Sequence, residues 1–418
     1  MKIAVVGGGS TYTPELVDGF ARLATQLGVD ELALVDPDAG RLGLIGPLAE
    51  RIFARHGSPV KVSWTAELDE GAADASMVLI QLRVGGQAAR ISDETIPLAC
   101  GCIGQETTGA GGLAKALRTV SVVRAIARRA AAVAAPGAWI VDFTNPVGIV
   151  TRALLDDGHR AVGLCNVAIH LARRFAAMLD VAPDRVVLDH VGLNHLTWER
   201  AVLVDGVDRL PELLAGRLAE IAAEVELPPA VLALTGTVPS YYLRYFYAHD
   251  EVLAEQRAGD IRGRTVAGIE AELLRLYADP ALDTKPDLLT QRGGAFYAEA
   301  AVGLIASLRG ATGPHSANVR NGTTLLFLPP EAVIETTCTV GVDGAVPLLS
   351  APLAPEQRGL VAHVAAYEEL ALEAAIHGGR DRVERALLAH PLIGQYDRAQ
   401  RLADELLAAN AEHLPWAR

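Results

Sequence analysis

The first 27 residues place the narrowest limits on how this chain can fold. An apolar run at residues 2–6 ends in three consecutive glycines, and residues 15–27 then carry apolar side chains at helical spacing. This order predicts a strand, a tight turn and a helix. Such a unit is typical of the start of a parallel sheet, in which a helix follows each strand.

The same order of elements recurs along the first half of the chain. Apolar runs predict further strands at residues 31–35, 77–82, 139–143, 161–164 and 185–193, with helical stretches between them. The alanine-rich residues 125–135 are predicted to be helical, because alanine has the highest helix propensity. We therefore expect an α/β fold with a Rossmann-like, doubly wound parallel sheet.

The pattern changes near residue 197. Helical stretches dominate from Trp198 onward, and two apolar runs, at residues 323–327 and 333–340, predict one pair of strands. A chain of 418 residues is long enough for two domains of ordinary size. We expect a Rossmann-like domain over residues 1–197 and a second, α+β domain over residues 198–418.

Charge and hydropathy restrict the class of partner. The formal net charge of −13 argues against nucleic acid, because proteins bind its phosphates through basic patches. No apolar run is long enough to span a bilayer, and the first residues do not resemble a secretory signal, so we expect a cytoplasmic protein without membrane contact. The partner class that remains is a small molecule. Four scattered cysteines do not predict a disulfide framework in such a protein.

The glycine turn and a later aspartate together predict a dinucleotide site. Gly7, Gly9 and Ser10 form a turn that lets the backbone approach a pyrophosphate at a helix N-terminus. The third glycine of the usual fingerprint is missing. Asp36 ends the second apolar run, where a carboxylate would accept hydrogen bonds from the adenosine ribose and favour NAD over NADP. On its own Asp36 fits a loop cap equally well; the combination favours the cofactor.

Two side chains at predicted strand ends suggest a metal site. Cys165 follows the run at residues 161–164, and His195 follows the run at residues 185–193. The carboxyl ends of strands meet at the crevice of a doubly wound sheet, so both side chains can reach one site. A thiolate and an imidazole suit a borderline divalent transition metal and leave positions for substrate oxygens. Taken singly, each residue is more often structural.

Several motifs in one order resemble glycoside hydrolase family 4 over nearly the whole chain. These motifs are VVGGGSTYTPEL, LRVGG, GQETTGAGG, TNPVGIVT, CN, GLNHLTW and YYLRYFY. The resemblance implies that NAD is bound, that Cys165 and His195 hold a manganese ion, and that the second domain is similar to the C-terminal domain of lactate and malate dehydrogenases. Asn166, directly after the cysteine, resembles the 6-phospho-β-glucosidase branch.

Two segments depart from that family's pattern. Ala168 stands in CNVAIH where the β-branch usually has proline, so the turn after the metal ligand is expected to differ. Cys100 and Cys102 precede GQET, where the family usually has no paired cysteines. We interpret these two cysteines as packing residues or as a local redox pair.

The resemblance implies hydrolysis by redox-assisted elimination rather than by two carboxylates. NAD would oxidise C3 of the sugar, a base would remove the C2 proton, the C1 aglycone would leave, and water and the hydride would then add. The implied base is Tyr242, with Tyr241 and Tyr245 as alternatives. A nearby cation must stabilise its phenolate, because the reference pKa of tyrosine is ~10. Glu106 is a candidate acid, acting through water, and fits a structural capping role equally well.

Arginines are expected to bind the 6-phosphate, because the guanidinium fork can bind two oxygens at once. Arg83 in LRVGG and Arg262 in DIRGRT correspond to arginines of the phospho-sugar branches. Asn145 in TNPV is placed to bind a sugar hydroxyl near the nicotinamide. The expected substrate is therefore a phosphorylated β-glucoside, and the expected assembly is a homodimer or homotetramer.

Two other functions compete with this interpretation. A 2-hydroxy-acid dehydrogenase would share the βαβ start and the TNPV segment, but the chain has no GEHG-like histidine motif. A non-catalytic NAD-binding sensor would not need Cys165, His195, Tyr242 and Arg83 together. Net NADH formation with malate or lactate would identify the dehydrogenase.

Overall fold

The structure, a computed structural model, describes residues 1–293, 296–348 and 351–417. The strands of these residues are β1 (Lys2–Val6), β2 (Glu31–Val35), β3 (Lys61–Thr65), β4 (Met77–Ile80), β5 (Trp139–Asp142), β6 (Ala161–Gly163), β7 (Val186–Leu193), β8 (Leu196–Val204), β9 (Val207–Asp208), β10 (Val238–Pro239), β11 (Gly313–Arg320), β12 (Val333–Gly341) and β13 (Gly344–Pro347).

The helices are α1 (Thr13–Leu27), α2 (Ala39–Arg55), α3 (Leu68–Ala72), α4 (Gly86–Ala99), α5 (Gly109–Val133), α6 (Val147–Asp156), α7 (Val167–Leu179), α8 (Leu210–Glu224), α9 (Pro229–Thr235), α10 (Arg244–Tyr247), α11 (His249–Ala258), α12 (Arg262–Tyr277), α13 (Leu289–Arg292), α14 (Tyr297–Leu308), α15 (Pro355–His377), α16 (Arg380–Ala389) and α17 (Tyr396–Ala409). Short 3-10 helices lie at Pro183–Arg185, Tyr241–Leu243 and Pro415–Ala417. None of these helices has the length and apolar character needed to cross a membrane.

The first half of the chain forms a parallel sheet in the order β3-β2-β1-β4-β5-β6. Strands β4 and β5 are buried along their whole length, and β1 and β2 at all but their first residue. Such continuous burial requires helices on both faces, which is why these strands appear as unbroken apolar runs. The predicted α/β class and the doubly wound, Rossmann-like sheet are confirmed.

The same sheet continues into antiparallel strands. β11 pairs with β6 at Asn318 and Gly163, and the order then runs β11-β12-β7-β8-β10, with β13 and β9 on side branches. The boundary expected after residue 197 falls inside β8, which pairs with β7 as a hairpin. A division there would split one hairpin between two domains. We propose instead that the boundary precedes this hairpin, between residues 179 and 186.

One predicted strand is wrong. Residues 323–327 form turns and bends, and β12 pairs instead with β11, β7 and β13, all antiparallel. The buried side chain of Asn321 closes the turn segment: its amide donates to the carbonyls of Leu325, Leu328 and Pro329. Strand β11, with the sequence GPHSANVR, has too few apolar residues for its alternation to be seen in the sequence.

Candidate active site

A cavity of about 1150 Å³ opens at the carboxyl ends of β1, β4, β5 and β6. Crevices at this edge of a doubly wound sheet are the usual position for ligands. Of the residues predicted for the site, the cavity is lined by Gly7, Gly9, Ser10, Asp36, Arg83, Glu106, Asn145, Asn166, His195, Tyr242 and Arg262. Cys165 is not among the lining residues and is 4% exposed. The tertiary structure thus brings nearly the whole predicted set to one place.

The turn after β1 lies against the end of β4. Gly7 has φ +89°, and a Cβ at this position would lie 2.2 Å from the carbonyl oxygen of Gln81. The amide of Gln81 donates to the carbonyl of Gly7 at 3.1 Å and to the hydroxyl of Thr13 at 2.9 Å, which ties the turn to the start of α1. Ser10 Oγ accepts from the N–H of Tyr12. Because the glycines of this turn carry no side chains, its backbone can approach a pyrophosphate at the N-terminus of α1.

Asp36 lies opposite this turn at the end of β2. Its Oδ2 accepts from the N–H of Gly9 at 3.0 Å, and its Oδ1 accepts from the N–H of Asp38 at 3.0 Å. Each carboxylate oxygen can still accept a further hydrogen bond. The carboxylate is therefore oriented at the cavity wall as a ribose acceptor would need to be.

Replacement of Gly7 by alanine is expected to weaken NAD binding at least tenfold. The new Cβ would collide with the carbonyl of Gln81. Alanine would also have to adopt the left-handed backbone conformation of Gly7, which costs about 1–3 kcal/mol. Titration of NAD followed by protein fluorescence measures the effect. Gly43→Ala is the control, because a Cβ at this exposed α2 position meets no atom within 4 Å. Equal NAD affinity of Gly7→Ala and the wild type would contradict the proposed turn.

Cys165 lies in the turn between β6 and α7. The backbone N–H groups of Asn166 and Val167 and the side chain of Asn194 lie near its sulfur. Burial and then the charge of Glu335 raise the pKa of the thiol well above its usual value. A bound cation would favour the thiolate instead, so the donor chemistry fits a divalent transition metal.

His195 follows β7 and has φ +63°. Burial lowers its pKa to about 4, so the ring is a neutral imidazole, the form that binds metals. Near it Asn145 has a buried side-chain oxygen without a hydrogen-bond partner, which is available to a bound ligand. Within the described residues no group of three or more histidine, cysteine or acidic side chains is arranged around a metal position. The proposed ligand set is therefore the pair Cys165 and His195.

Tyr242 lies flat against the ring of His195. The two ring centroids are 3.6 Å apart and the planes differ by 9°. The hydroxyl of Thr107 lies 3.0 Å from Nδ1 of His195 and is close enough to Tyr242 to affect the pKa of its phenol. Burial, and then the charge of a Cys165 thiolate, raise the pKa of Tyr242, so the residue is a phenol until a cation is bound nearby.

The two alternative tyrosines lie further from the imidazole. The hydroxyl of Tyr241 accepts from Arg244 at 3.2 Å, and Tyr245 is 4% exposed and packs on both other tyrosines. Only Tyr242 stacks on His195 among the described rings. The geometry therefore favours Tyr242 as the base, as the family resemblance implied.

Glu106 is unsuited to the role of acid. Its carboxylate bonds to Arg83 and to Lys115, and it is 3.2 Å from Arg90. Burial opposes ionisation, but these three cations outweigh it and hold the pKa of Glu106 well below its usual range. A carboxylate held in this state has no proton to give. We propose instead the structural role, in which Glu106 orients Arg83.

The arginines of the cavity are arranged differently from the prediction. Arg83 is held in place by its bonds to Glu106. Arg292 lies near Arg83: burial is the main cause that lowers the pKa of Arg292, and the positive charge of Arg83 is the second. Arg292 Nε also donates to Thr11 Oγ1 at 2.8 Å. Arg262 is exposed and donates to the carbonyl of Gln291. Sequence reasoning missed Arg292, whose segment carries no motif.

The two departures from the family pattern have local explanations. Ala168 is buried at the second position of α7, where a backbone N–H has no partner within the helix, so alanine can begin the helix as proline would. Cys100 and Cys102 are buried and free, and the sulfur of Cys102 donates to the carbonyl of Cys100. Their surroundings agree with a packing role.

Comparison with known proteins identifies relatives over the full length of the chain. Residues 2–181 match the model of the family 4 glycosyl hydrolases, and residues 190–393 match the model of the family 4 C-terminal domain. A probable 6-phospho-β-glucosidase of Bacillus subtilis is 37% identical over 433 residues, which cover 99% of this chain and 97% of the relative.

Two solved structures add information on the fold. The 6-phospho-β-glucosidase of Thermotoga maritima, solved with manganese, NAD⁺ and glucose-6-phosphate, has a TM-score of 0.93 at 32% identity and covers 99% of both chains. Malate dehydrogenase of Plasmodium falciparum, solved with NADH, has a TM-score of 0.52 at 16% identity and covers 90% of this chain and 99% of that chain. The second likeness is one of fold alone, and it agrees with the expected dehydrogenase-like architecture.

Proposed function

Because the chain belongs to family 4 of the glycosyl hydrolases, we propose that it hydrolyses 6-phospho-β-glucosides with NAD and a divalent metal, manganese. One observation carries the proposal. A single continuous cavity is lined by the glycine turn and Asp36 and also by His195, Tyr242 and the partly buried Arg83. The relative from Thermotoga maritima was solved with the same cofactor and metal and with a sugar phosphate.

Bound NAD supplies a reversible hydride acceptor for C3, and bound manganese supplies a Lewis acid for the C2 and C3 oxygens. The residues of the chain perform the remaining tasks. Tyr242 takes the proton from C2, with its ring held by His195 and its hydroxyl oriented by Thr107. The free oxygen of Asn145 accepts a sugar hydroxyl, and Asn166 lies at the same wall of the cavity.

The decisive experiment is hydrolysis of p-nitrophenyl 6-phospho-β-glucoside with NAD and manganese each omitted in turn. We expect activity only with both, and we expect excess EDTA to abolish it and added manganese to restore it. Full activity without NAD or in excess EDTA would overturn the proposal. Malate and lactate are the control substrates, and the absence of NADH formation with them would exclude the dehydrogenase, which shares only the fold.

Arg83→Ala is expected to raise KM for the phosphorylated glucoside about 10–100-fold, because charge-assisted hydrogen bonds typically contribute about 1.5–3 kcal/mol. The unphosphorylated glucoside should be affected little. Arg292→Ala should show the same selectivity, and Arg262→Ala a smaller effect, because Arg262 is exposed and bonded to a backbone carbonyl. Steady-state kinetics on both substrates provide the comparison. Equal effects of Arg83→Ala on both substrates would move the phosphate site elsewhere.

The proposed substrate also bears on where the enzyme acts and on its partners. We place the enzyme in the cytoplasm, because a phosphorylated sugar does not cross a membrane unaided, and we expect no nucleic-acid or membrane partner. A homodimer or homotetramer remains our prediction, which light scattering of the purified protein can test.

A further inference from the structure

A buried chain of hydrogen bonds lies behind the proposed metal ligands. His190 on β7 is fully buried between two carboxylates: Nδ1 is 2.7 Å from Glu199 on β8, and Nε2 is 3.0 Å from Glu335 on β12. Both carboxylates are at most 2% exposed. The three residues form a carboxylate–imidazole–carboxylate triad across adjacent strands, and the proposed reaction gives none of them a role.

The triad is connected to Cys165 through one side chain. Asn194 donates from Nδ2 to Oε2 of Glu335 at 2.8 Å, and its side chain lies close enough to Cys165 to lower the pKa of the thiol. Oε2 of Glu335 accepts a second bond, from Asn318 at 3.1 Å. Asn194 also directly precedes His195 in the chain. Glu335 thereby fixes the amide that contacts one proposed ligand and lies beside the other.

The charge of the triad is suited to a neighbouring cation. Burial opposes protonation of His190, but Glu199 and Glu335 outweigh it and raise its pKa to about 10. Burial raises the pKa of Glu199, whereas at Glu335 burial is outweighed by His190 and Asn194, which lower its pKa, so Glu335 carries a negative charge in a region shielded from water. Glu368 is also close, but burial and the charge of Glu335 raise its pKa to about 8, so it is a neutral acid at neutral pH. A divalent ion at the cavity wall would compensate the charge of the triad.

We propose that Glu335, held by His190 and Glu199, is a positioning residue for the metal: through Asn194 it positions the proposed ligands His195 and Cys165, and its charge strengthens cation binding. The inference rests on the proposed metal site at Cys165 and His195. Groups behind metal ligands commonly change metal affinity about 10–100-fold when removed. Glu335 would act in this way without touching the substrate or the metal.

The test measures binding by the NAD-saturated full-length protein, without turnover. Free Mn²⁺ is followed by electron paramagnetic resonance, and Co²⁺ is added separately because its thiolate charge-transfer absorption reports bonding to Cys165. We expect Glu335→Gln to weaken Mn²⁺ binding about 10–100-fold and to reduce or shift the Co²⁺ band, with NAD affinity unchanged. Glu224→Gln is the matched control. Glu224 also bonds a histidine, His170, at 2.6 Å, but it lies on α8 rather than on the strands that carry the triad.

The possible results distinguish a wrong role for Glu335 from a wrong metal site. Wild-type Mn²⁺ affinity and an unaltered Co²⁺ band in Glu335→Gln would overturn the role of Glu335. Loss of NAD and Mn²⁺ binding together would also overturn it, because a general structural role explains that result. Should Glu335→Gln not fold, Asn194→Ala decides by the same criteria, since it removes the bridge and leaves the triad. If the wild type and Cys165→Ser bind Mn²⁺ equally, the proposed metal site itself is wrong.

Discussion

Tyr242→Phe is expected to lower kcat about 10³-fold or more, while NAD still binds. The substitution removes the phenol oxygen that takes the C2 proton, and positioned general bases contribute about 10²–10⁴-fold to rate. It keeps the ring that stacks on His195 at 3.6 Å, so the surrounding site should stay in place. Steady-state kinetics and NAD titration measure the two effects separately.

A solvent isotope experiment identifies the step that fails. In D₂O the wild type should place deuterium at C2 of the product, because a proton held by a side chain exchanges with solvent before it returns. Tyr242→Phe should lose this incorporation together with turnover. Tyr241→Phe is the matched control, since the hydroxyl of Tyr241 bonds to Arg244 rather than to the residues around His195. An active wild type that needs NAD but incorporates no deuterium at C2 would contradict the elimination mechanism.

Cys165→Ser is expected to reduce manganese affinity about 100-fold and to abolish activity at ordinary metal concentrations. Serine replaces a thiolate ligand by a hydroxyl that stays protonated, so one of the two proposed protein ligands is lost. NAD affinity should change little, because the glycine turn lies between β1 and α1, apart from the turn after β6 that contains Cys165. Mn²⁺ binding by electron paramagnetic resonance and activity at increasing Mn²⁺ provide the measurement.

Cys338→Ser serves as the control for that substitution. Cys338 is fully buried on β12, and its sulfur donates to the carbonyl of Thr336 at 3.4 Å, so serine can replace it without loss of a ligand. We expect this variant to keep its metal affinity, with at most a modest loss of stability. If Cys338→Ser loses the metal and Cys165→Ser retains it, the assignment of Cys165 as a metal ligand is wrong.

The sequence by itself determined the cofactor turn and the parallel half of the fold except for β3, whose residues are mostly not buried and give no apolar run. Strands such as β1 and β4 are unbroken apolar runs because both their faces are buried, and the Gly7 turn needs a backbone without Cβ at a fixed place after β1. These signals are local: each lies within a few residues. Ordered motifs also identified the family, and the wall of one cavity contains eleven of the twelve residues that the sequence assigned to the site.

Only the tertiary structure decided how those residues are used. Glu106 is an ordinary carboxylate in the sequence, and it loses the role of acid because Arg83, Arg90 and Lys115 meet around it. Pairing of β11 with β12, the place of Arg292 beside Arg83, and the bond between His190 and Glu335 likewise depend on distant segments. Such contacts leave no periodic trace in the chain. The role of a charged or buried polar side chain depends on its neighbours, and for these residues the neighbours come from distant segments that only folding brings together.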